Sequence, residues 1–111
     1  MNIQTVGCNS SGDNTLITLS NLTQAAYIRQ MFLMASDEVT MRVKDSGGTY
    51  LLGNASHGLL IPAGGGFVLP FTEREWFRGS IGKNIILNLS SGVAVAGVIG
   101  YELFPLVLSA T

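Results

Sequence analysis

Asn84-Ile85-Ile86-Leu87-Asn88-Leu89-Ser90, then Ser91-Gly92, then Val93-Ala94-Val95-Ala96 is the stretch on which the reading of the fold turns. Successive side chains of an extended chain point to opposite sides. Ile85, Leu87 and Leu89 therefore share one face, and Ile86, Asn88 and Ser90 the other. Ser91-Gly92 is a short break that permits chain reversal, so the stretch predicts a β-hairpin.

Working outward, Gly97 and Gly100 interrupt the strand that follows, where a bulge or a close backbone approach would call for glycine, before Tyr101-Glu102-Leu103-Phe104 resumes β character. Upstream, Val39, Met41 and Val43 alternate with Thr40, Arg42 and Lys44 after a turn at Asp37-Glu38, the pattern of a half-buried strand. Ser46-Gly47-Gly48 then turns the chain into Thr49-Tyr50-Leu51-Leu52. Pro62 and Pro70 bracket Phe67-Val68-Leu69, which suits a short strand at a sheet edge, because proline cannot donate to a ladder. The ambiguous segment is Ala25 to Ala35. Leu22, Ala26, Arg29 and Leu33 lie near helical spacing, whereas Tyr27, Ile28, Met31, Phe32 and Met34 suit a strand buried on both faces, and strand is the preferred reading. Thr15-Leu16-Ile17-Thr18-Leu19 is the first full strand.

Fourteen glycines among 111 residues punctuate short runs rich in Val, Ile, Leu, Thr and aromatics, which is how an antiparallel all-β domain reads. The expected architecture is all-β: a jelly-roll-like antiparallel β-sandwich of about seven or eight strands. Residues 1–14 form an N-terminal arm or edge strand, and residues 15–111 one sandwich domain.

Charge is scarce. Only 12% of residues are charged, against about 25% in ordinary soluble chains. A folded monomer of this mass exposes about 5,900 Å² of surface, or about 450 Å² for each charge. Such a surface is suited to meeting protein as well as water, so a homo-oligomer, dimer or trimer, or a protein partner is expected. The net charge of −1 and the absence of a Lys/Arg cluster argue against nucleic acid and anionic membrane. The apolar stretch from Val93 to Ala110 is a poor membrane span, since Glu102 would cost about 2.5–3.5 kcal/mol at the bilayer centre. Cys8 is the single cysteine, and the N-terminus has neither a basic start nor a long apolar run. Both are expected of a cytoplasmic product.

The sequence offers little to catalysis. His57 is the lone histidine, so no metal centre or cofactor is expected, and it reads as a loop residue after Gly53-Asn54. Glu73 and Glu75 would point the same way on a strand but cannot flank a scissile bond; Arg74 and Arg78 balance them. Gly64-Gly65-Gly66 lacks the Lys-Ser/Thr and helix of a phosphate loop and reads as a turn. Trp76 and Phe77, flanked by Arg74 and Arg78, have the composition of a partner-binding hot spot, with at least one ring expected in the core. Ile3 and Val6 of the N-terminal segment complete the candidate interface.

The second half of the chain carries Leu60-Ile61-Pro62-Ala63-Gly64-Gly65-Gly66, Leu69-Pro70-Phe71, Trp76-Phe77, Gly82-Lys83-Asn84-Ile85-Ile86-Leu87-Asn88-Leu89-Ser90 and Val93-Ala94-Val95-Ala96-Gly97-Val98-Ile99-Gly100-Tyr101. Over residues 59 to 101 this resembles the capsid decoration, or staple, proteins of epsilon-fifteen-like short-tailed phages. The resemblance implies a jelly roll without catalytic residues. It also implies assembly in the host cytoplasm into a small oligomer that sits on the outside of the virion and bridges neighbouring major capsid protein subunits. Two other readings remain open. One is a carbohydrate-binding module stacking sugars on Trp76, Tyr50 and Tyr101. The other is an enzyme of the cupin type, which the single histidine disfavours.

Overall fold

Ala25–Ala35, the segment with two sequence readings, is a strand of eleven residues and the longest among the described residues. A helix would have left its apolar residues on one stripe. As a strand it pairs on both sides, and it buries Ala26 and Ile28 before the break in register with β10 and Met31 and Leu33 after it. The computed structural model describes residues 1–105, within which there are ten strands and no helix. They are β1 (Asn2–Cys8), β2 (Gly12–Ile17), β3 (Ala25–Ala35), β4 (Val39–Asp45), β5 (Tyr50–Leu52), β6 (Leu59–Ile61), β7 (Gly66–Leu69), β8 (Phe77–Arg78), β9 (Ile85–Leu89) and β10 (Val95–Phe104).

The first sheet has the order β1-β10-β3-β7, with β8 also pairing with β3; the second has the order β2-β9-β4-β5, with β6 also pairing with β4. All pairings are antiparallel. β5 and β6 share one place beside β4, and β7 and β8 share one beside β3. The ten strands therefore occupy eight positions, four in each sheet, and the first four strands alternate between sheets. That is the topology of a jelly-roll β-sandwich. The expected seven or eight strands become ten because these two positions are each built from two short pieces.

The inner faces meet in one core: Val6, Ile28, Met31, Leu33, Val95 and Ile99 from the first sheet, and Ile17, Met41, Val43, Ile61, Ile85, Leu87 and Leu89 from the second. β4 keeps the strict alternation read from its sequence, with Val39, Met41 and Val43 inward. β4 and β5 form the expected hairpin.

The final hairpin is corrected. β9 pairs with β2 and β4, whereas β10 pairs with β1 and β3, so Ser91-Gly92 carries the chain from one sheet to the other. The Ser90 N–H remains with the second sheet, donating to Thr40 O at 3.0 Å, while Ala94 O already accepts from Ser36 N at 2.9 Å on the first-sheet side. A Ser-Gly break looks the same whether the chain returns beside its neighbour or crosses the sandwich. The run Thr15–Leu19 is also shifted: β2 begins at Gly12 and ends at Ile17, and Leu19 reaches the core from a loop, its N–H bonded to Asn84 Oδ1 at 2.9 Å.

Gly97 and Gly100 do what their positions required. A Cβ on Gly97 would lie 1.8 Å from Phe32 O, and the ladder between β10 and β3 shifts register between Gly100 and Tyr101. On the other side of β3, a Cβ on Gly66 would lie 2.0 Å from Leu33 O. Two glycines thus let β10 and β7 close on β3 from both sides.

Candidate partner-binding surface

Cross-strand register assembles the outer face of the first sheet from residues far apart in the chain. One row runs Thr5, Val98, Phe32, Val68; the rows beside it run Ile3, Gly100, Gln30 and Gly7, Ala96, Met34, Gly66. No charged residue stands in these three rows. Ile3 is 63% exposed, Val68 58%, Met34 46% and Phe32 41%. An open depression of about 190 Å³ lies between Gln30, Phe32, Val68, Pro70, Phe71 and Val98, and Phe71 at its rim is also exposed. The strand expected to be buried on both faces is therefore buried on one. Its other face, Phe32 and Met34, is bare.

The outer face of the second sheet is the opposite in character. Thr40, Arg42 and Lys44 on β4 face outward beside Asn88 on β9 and Asp13 on β2. Lys44 Nζ lies 3.1 Å from Asp13 Oδ2, Asn88 donates to Asp13 at 2.8 Å, and Arg42 donates to Asn54 O at 2.7 Å. The Asn88 amide, helped by Lys44, holds the Asp13 carboxyl below its ordinary range. Ile86 on this face is covered, Leu60 on β6 is exposed, and Tyr50 on β5 lies under the Lys44 ammonium. Large contiguous apolar surface marks interaction sites more reliably than isolated exposed residues do. Here the contrast lies between two sides of one sandwich.

The lower part of the first sheet's outer face is polar. Arg29 occupies the bulge in β3, where Gly100 pairs with Gln30 and Tyr101 with Ile28. It pairs with Glu102, donates to Thr72 O at 3.0 Å and to Glu73 O, and lies over the Phe71 ring. Arg29 thus fastens the segment that carries the predicted hot spot. Glu73 and Glu75 lie in this loop, outside any strand. Glu75 pairs with Arg78 at 2.9 Å, and Arg78 stacks on Tyr27 and donates to its hydroxyl. Tyr27, Arg29, Glu73, Arg74, Glu75 and Phe104 border a shallow second depression of about 230 Å³.

Of the six candidate interface residues, Trp76 is 47% exposed, its ring N–H held by Pro70 O at 2.7 Å. Phe77 turns inward against the core, which accounts for the ring expected there. Arg74 and Arg78 lie at the polar end, and Ile3 stands on the apolar face. Val6 is corrected: its side chain points into the core at 7% exposure and is not part of the apolar outer face. Sequence reasoning missed Phe32, Met34, Val68 and Val98. Their alternation was visible, but an apolar strand does not announce which side is wet.

Tyr50, Tyr101 and Trp76 do not form a common platform. Tyr101 packs against the core, Tyr50 belongs to the second sheet, and Trp76 stands on the loop before β8. His57 lies in an exposed loop, its N–H bonded to Asn54 Oδ1 at 2.8 Å. Burial pushes the Cys8 thiol up from its ordinary pKa. Among the described residues there is no group of three or more His, Cys, Asp or Glu side chains placed to hold a metal ion, and no helix long and apolar enough to cross a membrane. The expectation about Val93 to Ala110 falls partly on residues 106–110, outside the described residues.

Compared with protein-family models, characterised proteins and solved structures, the chain matches none. The fold and its surface define a class, an antiparallel jelly-roll sandwich with one polar outer face and, on the other, an uncharged apolar patch beside a polar end.

Proposed function

We propose that this protein is a non-enzymatic structural component of a phage virion that lays its apolar face on the outer surface of the capsid and staples neighbouring major capsid protein subunits. The observation that carries this reading is the uncharged patch of three cross-strand rows on the outer face of the first sheet, where Ile3, Phe32, Met34 and Val68 stand exposed. The resemblance of residues 59 to 101 to capsid staple proteins supplies the partner.

The mechanism requires no chemistry. A protein that binds the assembled shell and not its dispersed subunits stabilises the assembled state by mass action. Apolar contact supplies the affinity, at about 25 cal/mol for each Å² removed from water, less the cost of association. The charged face of the second sheet remains toward solvent and keeps the decorated particle soluble.

The experiment is co-sedimentation with purified, mature capsid shells. Saturable retention at a fixed ratio to the major capsid protein is the expected result. Failure of intact shells to retain the protein rejects the reading, and saturable sugar binding by the isolated protein in calorimetry would replace it with the carbohydrate-binding one.

A further inference from the structure

We propose that β1 is a dimerisation strand, whose outer edge pairs antiparallel with β1 of a second copy and merges the two first sheets into one. This rests on the capsid reading for its purpose, though not for its geometry.

An unpaired strand edge is a template for another strand, and proteins that remain monomeric blunt such edges with proline, charge, bulges or shortness. Three of the four edge positions here are blunted in those ways. β7 is four residues long and ends at Pro70; β5 and β6 are three residues each. β2 carries Asp13 and a register break between Thr15 and Ile17, and its Asn14 side chain caps the carbonyls of Ser10 and Gly12. β1 has none of these. It runs seven residues, Asn2-Ile3-Gln4-Thr5-Val6-Gly7-Cys8, without proline or charge, in unbroken register with β10. Among the described residues, no other strand pairs with it.

The strand is also complementary to itself. Antiparallel pairing centred on Thr5 uses all seven residues and places Thr5 opposite Thr5, a favourable cross-strand pair. Ile3 then lies opposite Gly7 of the second copy, on the outer face. A Cβ added at Gly7 would meet nothing within 4 Å, so there is open space beside it for the Ile3 side chain, itself 63% exposed. No like charges are opposed. Ile3, Val98, Phe32 and Val68 of one copy become continuous with those of the other, doubling the apolar face across a two-fold axis. Such a dimer engages two capsid subunits at once, and the second contact is intramolecular once the first has formed.

Sedimentation equilibrium of the wild-type chain, Thr5→Lys and the double variant Cys8→Ser/Thr5→Cys tests the proposal. The wild type is expected at twice the monomer mass of 11.7 kDa. Thr5→Lys, which sets two cations face to face, should weaken dimerisation about tenfold or more while circular dichroism stays unchanged. The double variant should oxidise to a covalent dimer, which keeps the test decisive if the lysine variant folds poorly. A wild type that remains monomeric at high concentration, or a folded Thr5→Lys that dimerises as tightly as wild type, overturns the proposal. A dimer that no shell retains rejects the capsid reading and leaves this one standing; a monomer that shells retain does the reverse.

Discussion

The Ser80 hydroxyl donates to Asp45 Oδ2 at 2.7 Å, linking the loop before β9 to the end of β4. Asp45 is fully buried and also accepts from the N–H groups of Gly47 at 2.8 Å, Thr49 at 3.1 Å and Ser80 at 3.2 Å. Burial alone would raise its pKa. The Ser80 hydroxyl and the three backbone donors outweigh that and hold the carboxyl below its ordinary range.

A carboxylate whose pKa is depressed by folding contributes stability that is complete above its unfolded value, about 3.9, and is lost as pH falls toward and through the folded value. Asp45→Ala should therefore cost about 2–3 kcal/mol at neutral pH, because it removes the one acceptor that ties the Gly47, Thr49 and Ser80 N–H groups and the Ser80 hydroxyl together. It should also flatten the loss of stability below about pH 4. Urea unfolding of both proteins at neutral and acid pH reads the two effects; parallel pH profiles would show that Asp45 is not the group responsible.

Gly97→Ala drives a methyl group to within 1.8 Å of Phe32 O and 3.0 Å of the Leu33 Cα, both backbone atoms. The strands must part, and a loss of about 3 kcal/mol or more is expected. Gly7→Ala meets no atom within 4 Å and should change stability by less than about 1 kcal/mol. Thermal melts of the pair provide their own control.

Phe32→Asp places a carboxylate at the centre of the apolar face. Retention by capsid shells should fall about tenfold or more, since an interface core tolerates no unpaired charge, while the melting temperature stays near wild type because Phe32 is outside the core. Arg42→Ala on the opposite face should leave retention unchanged. Equal losses in the two variants would mean that the binding face has been misassigned.

Arg29→Ala frees the loop from Thr72 to Glu73 and leaves Glu102 without its cation. A loss of about 1–2 kcal/mol is expected, with faster hydrogen exchange concentrated at residues 70–77. Unchanged exchange there would show that the Trp76 N–H bond to Ile28 O, 2.7 Å long, suffices to hold the loop.

Much of the sandwich was legible because β periodicity is a local property. The inward face of β4, the glycine turn into β5, the edge position of β7 and the close approach at Gly97 could all be read from a few neighbouring residues. The strand at Ala25–Ala35 was legible too, but not its orientation. With apolar residues on both sides, nothing local separates Met31 and Leu33, which are buried, from Phe32 and Met34, which are not. The turn at Ser91-Gly92 failed for a related reason: a break specifies that the chain changes direction, not which sheet receives it. At Trp76-Phe77, composition marked the pair, and only packing assigned one ring to the core and the other to solvent.

The order of residues by itself determined an all-β chain, the placing of most of its strands, and a surface poor in charge. Only the tertiary structure decided that Ile3, Phe32, Val68 and Val98 share one uncharged patch, with Arg29, Arg78 and Glu102 at the other end of the same sheet and Arg42 and Lys44 on the opposite one. That decision belongs to strand pairing, because register joins positions as far apart as Ile3 and Gly100, a separation across which side-chain alternation carries no information.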